Sequence, residues 1–124
     1  MEAAKRGIEL NGLTNVRVAA ASAEVFVQHW RDGIPVKGLE DLDLRQLDLR
    51  TLLVDPPRAG LDPATVDLCR EFDRVVYISC NPETLLSNLV ALEDTFQISR
   101  LALFDQFPFT HHCEAGVLLT KRGL

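Results

Sequence analysis

The 124-residue chain is 47% hydrophobic and 25% charged, and its 13 basic and 18 acidic residues leave a net charge of -5. That length fits one core, and the charge excludes a generally basic surface for gripping nucleic acid. No apolar run reaches the roughly twenty residues a membrane helix needs; a cytoplasmic location is the expectation.

Glu2 to Asn11 is rich in helix formers, with Ala4, Ile8 and Leu10 toward one side and Asn11-Gly12 as a C-terminal stop. No strand or cap precedes it, so the chain reads as a domain entered part-way through. Asn15 to Ala20 alternates Val16 and Val18 about Arg17 and predicts a short strand. Ser22 is placed to cap a helix to about Trp30, with Val25, Phe26 and Trp30 packing inward. Residues 31–50 break this rhythm with Asp32-Gly33-Ile34-Pro35 and a near-duplicated Leu-Asp-Leu-Arg. We read that stretch as a solvated, flexible insertion, partly ordered by its leucines, and assign it no chemistry.

Thr51 to Val54 predicts a buried strand that ends on Asp55-Pro56-Pro57-Arg58-Ala59-Gly60, and Asp62-Pro63 opens a helix to about Glu71. Arg74 to Ile78 has the β-branched and aromatic character of a strand buried on both faces. It stops at Cys80, where Asn81 and Pro82 supply an N-cap and first residue for a helix to about Leu92. Strands over Gln97 to Phe104 and Glu114 to Thr120, joined by a polar and aromatic link, complete an α/β doubly wound sheet.

Ligands of such sheets sit at the carboxyl ends of the strands, so Asp55 and Cys80 are expected side by side on one rim. Two prolines stiffen the turn after Asp55, and Arg58 offers a planar fork for phosphate or carboxylate. A thiol at a helix N-terminus is favoured as thiolate, the alternative being an inert buried cysteine. Glu114 opens an otherwise apolar strand, where burial would raise its pKa and suit it to proton transfer. Three cysteines without CxxC spacing indicate neither a disulfide framework nor a zinc ribbon. Neighbouring side chains of His111-His112-Cys113-Glu114 point to opposite faces of an extended segment, so no metal site is expected.

Asp55-Pro56-Pro57-Arg58-x-Gly60, then Val75-Val76-Tyr77-x-Ser79-Cys80-Asn81-x-x-Thr84, then Phe104-Asp105-x-Phe107-Pro108-x-Thr110-His111-His112-x-Glu114 together resemble the RNA uracil-5-methyltransferases. The wording is most like the tRNA branch, whose target is the T-loop uridine; Phe109 and Cys113 depart from the usual pattern. The resemblance covers nearly the whole chain. It implies a Rossmann-like class I methyltransferase sheet, S-adenosylmethionine as cofactor and tRNA as partner. It further implies Cys80 as the nucleophile that adds to uracil C6, Glu114 as the base for the C5 proton, Asp55 at the cofactor pocket, and Arg58 and Asn81 toward substrate.

The family's sheet begins with a strand, a Gly-rich turn and an acidic strand end that these residues do not contain. The chain is therefore expected to be the C-terminal portion of the catalytic domain, inactive alone and open to dimerisation through exposed sheet edges. The absent strands would fall between the Asn15–Ala20 strand and the Thr51–Val54 strand. Alternatives are a ribosomal-RNA uridine methyltransferase, an exocyclic-amino N-methyltransferase with a similar Asp-Pro-Pro turn, and a non-catalytic RNA-binding fragment. The N-methyltransferase reading leaves Cys80 without a role.

Overall fold

Residues 1–110 and 112–124 are described by the computed structural model. Where length predicts one core, the contacts divide the chain into two units, Met1–Asp48 and Leu49–Leu124.

In the first unit, helix α1 (Glu2–Leu10) stops at Asn11, and Gly12 follows with a left-handed φ of 61°. Helix α2 (Ala23–Asp32) starts where Ser22 Oγ accepts from Val25 N at 3.3 Å, and it ends at Gly33 in the left-handed region. Its inward stripe runs through Val27 and His29, with Phe26 and Trp30 half-buried, whereas Val25 is exposed. The His29 Nδ1 lies 2.7 Å from Ile34 O; a carbonyl only accepts, so Nδ1 carries the proton. Val36, Leu39 and Leu44 are buried, the last in a single 3-10 turn, Leu44–Gln46, begun by Asp43.

The Asn15–Ala20 strand does not form. Among the described residues, Asn15 to Ala20 have no ladder partner, and an isolated strand cannot satisfy its backbone groups.

The second unit holds strands β1 (Thr51–Val54), β2 (Arg74–Ser79), β3 (Phe96–Phe104) and β4 (Glu114–Lys121), with helix α3 (Pro63–Cys69) and helix α4 (Pro82–Leu92). Both helices begin as the sequence predicts, on Asp62-Pro63 and Asn81-Pro82. The strand order is β1-β2-β4-β3, with β1 parallel to β2, and β4 antiparallel to β2 and β3. The carboxyl ends of β1, β2 and β3 therefore share one rim with the start of β4.

Alternation decides which face is core. Val75 and Tyr77 of β2 and Ala115, Val117 and Leu119 of β4 pack with Val66 and Cys69 of α3, Leu85 and Leu92 of α4, and Phe96. Each large apolar side chain fully buried in this way contributes about 1.5–3 kcal/mol. Both helices of this unit lie on that face. The predicted burial of β1 is not found: β1 is an edge strand, and Leu53, on the face opposite α3 and α4, is 65% exposed. On β2 the same alternation leaves Val76 and Ile78 half-buried.

Asp62 accepts from Thr65 N at 3.0 Å and from Thr65 Oγ1 at 2.7 Å, and these bonds hold its carboxyl below the usual carboxylate range. Asp62→Ala is expected to lower stability by about 1 kcal/mol at neutral pH. Because the folded-state pKa is depressed, that contribution is present above the unfolded value of 3.8 and lost as pH falls through the folded one. Urea titrations at pH 7 and at acid pH read both effects; an equal loss at the two would contradict the cap.

Candidate active site

Cys80 follows the last residue of β2 and precedes the cap of α4, so a rigid strand and a helix start hold its backbone from either side. Ser79 reinforces the junction: its Oγ accepts from Asn81 N at 3.1 Å and lies 3.0 Å from Asn81 O. The thiol is partly exposed, unlike Cys69, which has no exposure at all.

Glu114 reaches the same place from the opposite direction. The β2–β4 register ends with Ser79 paired to Ala115, so Cys80 is the residue after that last rung on one strand and Glu114 the residue before it on the other. Glu114 is also paired with Phe104, whose ring lies across Gly116: a Cβ there would stand 3.2 Å from Phe104 Cε2 and 3.4 Å from Ile78 Cδ1. Glycine thus lets an aromatic shelf settle beside Glu114, on the face opposite α3 and α4.

The Asp55 turn arrives from β1, whose Val54 pairs with Tyr77 of β2. Asn81 Nδ2 donates to Arg58 O at 3.0 Å, and Thr84 Oγ1 reaches the same oxygen at 3.1 Å. The turn is thereby fastened to the residue next to Cys80. Asn81 Oδ1 also accepts from Glu83 N at 3.2 Å, so both ends of the amide are engaged, with one lone pair left to offer a ligand.

The four groups expected to do chemistry share one property. Among the described residues, the side chains of Asp55, Arg58, Cys80 and Glu114 take no hydrogen-bond or ion-pair partner, whereas Ser79, Asn81, Thr84 and Asn88 around them are all engaged. A rim of free charged and nucleophilic groups on a hydrogen-bonded frame can deliver a thiol and a carboxylate to the same small ring.

The link between β3 and β4 carries Phe107, whose carbonyl accepts from Thr110 Oγ1 at 2.8 Å, and Phe109, at φ 67° and fully exposed. Cys113 Sγ lies 3.6 Å from Glu114 O, and His112 meets Phe107 edge-on at 6.3 Å between ring centres. His111 of the Thr-His-His wording lies outside the described residues. A groove of about 330 Å³ between α4 and β3, lined by Leu86, Val90, Ile98 and Arg122, lies toward the end of the sheet away from the rim and holds none of these groups.

Two residues at the site were missed by the sequence reading, Tyr77 and Asn88, whose side chains meet at 2.8 Å. The signal was available in part. Asn81, Thr84 and Asn88 interrupt an apolar helix at spacings of three and four, which places them on one face.

Comparison with known proteins adds a family. The family described as "tRNA (Uracil-5-)-methyltransferase" matches residues 1–122. Proteins named tRNA/tmRNA (uracil-C(5))-methyltransferase are 52% identical in Pseudomonas entomophila and 51% in Stutzerimonas stutzeri, each over 98% of this chain and 34% of the relative. The chain therefore spans about a third of the length of these relatives. The crystal structure of Pyrococcus abyssi tRNA (uracil-54, C5)-methyltransferase in complex with S-adenosyl-L-homocysteine is similar with a TM-score of 0.68 and 30% identity, over 96% of this chain and 25% of that one.

The three thiols should separate by burial. Desolvation pushes the Cys69 thiol up to about 11 from 9.0, and it raises Tyr77 as well. At pH 8, iodoacetamide is expected to label Cys80 and Cys113 in the folded chain and Cys69 only after unfolding, as peptide mass spectrometry would read. A raised acid pKa means the folded state keeps its proton longer, so stability falls as pH rises from about 9 toward 11, by roughly 2 kcal/mol. Cys69→Ala should flatten that alkaline limb; early labelling of Cys69 would contradict the packing.

Proposed function

The chain belongs to the tRNA (uracil-5-)-methyltransferase family, and on that basis we propose that it carries the catalytic thiol and base of an enzyme that methylates C5 of a uridine in the tRNA T-loop. The single observation that carries the reading is that Cys80 and Glu114 flank Ser79–Ala115, the last paired rung of β2 and β4, both with free side chains among the described residues. The share of the relatives that it matches, about a third of their length, supports a second element: the chain is a portion of a longer enzyme rather than the whole of one.

C5 of uracil is too weak a nucleophile to take a methyl group unaided. The Cys80 thiolate adds to C6, forming the S–C6 bond and moving the C5–C6 π electrons onto C5 and the adjacent carbonyl. S-adenosylmethionine, when bound, supplies the electrophilic methyl, and S-adenosylhomocysteine is what remains after transfer. Glu114 then removes the C5 proton, the electron pair rebuilds the C5–C6 double bond, and Cys80 leaves as thiolate. The partly exposed position of Cys80 fits attack on an extruded base, since a stacked uridine could not present C6 to a thiol on a strand end.

The residues present fit the cofactor in part. Asp55 holds an exposed carboxylate at the rim, without a partner among the described residues, suited to a hydroxyl or amino donor of the bound cofactor. Arg58, its guanidinium free among the described residues and its carbonyl tied to Asn81, is suited to the RNA backbone or a uracil carbonyl, with Asn81 beside it. No Gly-rich turn for the methionine end occurs in these 124 residues. The chain alone is accordingly expected to bind S-adenosylmethionine more weakly than micromolar and not to methylate; micromolar binding in a calorimetric titration would overturn that.

In an enzyme of the relatives' length carrying this chain, Cys80→Ala should abolish both methylation and the covalent complex with 5-fluorouridine-containing tRNA. Glu114→Gln should still form the adduct and slow its resolution by about a hundredfold or more, the scale of a lost general base. Gel-shift under denaturing conditions reads both. A Cys80→Ala protein that methylates C5 would refute the thiolate route, and preferential methylation of ribosomal RNA over tRNA would refute the substrate.

A further inference from the structure

The turn that carries Asp55 and Arg58 hangs on one stripe of α4. Its middle is held where Asn81 Nδ2 and Thr84 Oγ1 reach Arg58 O. Its end is held by Asn88: Oδ1 accepts from Leu61 N at 2.9 Å and from Tyr77 Oη at 2.8 Å, and Nδ2 lies 3.4 Å from Leu61 O. A backbone N–H only donates, so the amide can face Leu61 one way round, and the Tyr77 hydroxyl must then donate to the same oxygen. Tyr77 is itself fully buried in the middle of β2.

Gly60 shows how closely the turn is drawn in. It has a φ of +80°, and a Cβ there would stand 2.6 Å from Asn88 Oδ1 and 3.1 Å from Thr84 Cβ. Gly60 N donates to Pro57 O at 2.9 Å, which closes the turn on itself. Two prolines stiffen its start and Asn88 anchors its finish.

We propose that Asn88 is a positioning residue: bridging Tyr77 of the core strand to the Gly60–Leu61 end of the turn, it fixes where the Asp55 carboxylate and the Arg58 guanidinium stand relative to Cys80. The proposal rests on the proposed function for what that turn contacts. Asn88 acts through the turn alone, by transmitting the position of β2 to it. Tyr77 is the second half of the device, since without its hydroxyl the amide is held only by the segment it is meant to hold.

Amide hydrogen exchange on the full chain, with kcat and KM for tRNA in the methylating enzyme of the relatives' length, tests this. Loss of the amide in Asn88→Ala is expected to quicken exchange at Leu61 and Gly60 about tenfold while leaving the amides of β4 unchanged. It should also lower kcat/KM about tenfold, with the rate of Cys80 alkylation unaltered. Asn88→Asp keeps the acceptor and should recover most of both losses, and Tyr77→Phe should show a smaller loss of the same kind. Unchanged exchange at Leu61 overturns the clamp. Quickened exchange with unchanged kcat/KM, or a loss not recovered by Asn88→Asp, overturns the positioning role. Should the parent enzyme methylate no uridine, the functional reading fails and the catalytic part of this proposal with it, while the exchange result still decides whether Asn88 holds the turn.

Discussion

The pairing of Ser79 with Ala115 is the constraint on which the site depends. It joins a strand running up to the rim with one running away from it, so residues far apart in sequence, Cys80 and Glu114, flank the same last rung of the ladder. A slip of one residue would turn every β4 side chain to the other face, and with it Val117 and Leu119, which are now buried against α3 and α4. The core that stabilises the sheet therefore also fixes the relation of thiol to carboxylate.

Around that pair the polar residues divide by task. Ser79, Asn81, Thr84 and Asn88 bind backbone or one another and are thereby held still. Asp55, Arg58, Cys80 and Glu114 have free side chains among the described residues. Such a division suits a site in which the frame must not move and the reacting groups must meet something from outside. It also separates the cysteines: Cys69 is enclosed and holds its proton to high pH, while Cys80 is partly open at a strand end.

Much of this was legible in the sequence where local chemistry decides structure. Asp62-Pro63 and Asn81-Pro82 announced helix starts, the runs before Asp55 and Cys80 announced strands, and the rim followed from where those strands end. What failed depended on partners. Val16 and Val18 alternate as a strand should, but alternation does not supply a neighbour, and residues 15–20 have none. Thr51 to Val54 looked buried because its residues are apolar, yet an edge position leaves Leu53 exposed. The role of Asn88 was hidden for a related reason: its partners, Leu61 and Tyr77, lie 27 and 11 residues away, a contact that no spacing rule within α4 reveals.

The meeting of Cys80 and Glu114 can be measured without any activity. In the Glu114→Cys chain, with Cys113→Ser to remove the competing thiol, mild oxidation should join residues 80 and 114 within one molecule, because the two flank the Ser79–Ala115 rung and residues that continue an antiparallel ladder fall in the range a disulfide spans. Intact-mass and peptide mapping should find that intramolecular bond formed readily at low protein concentration. Thiols that stay free, or that pair only between molecules, would contradict the register and with it the account of the site.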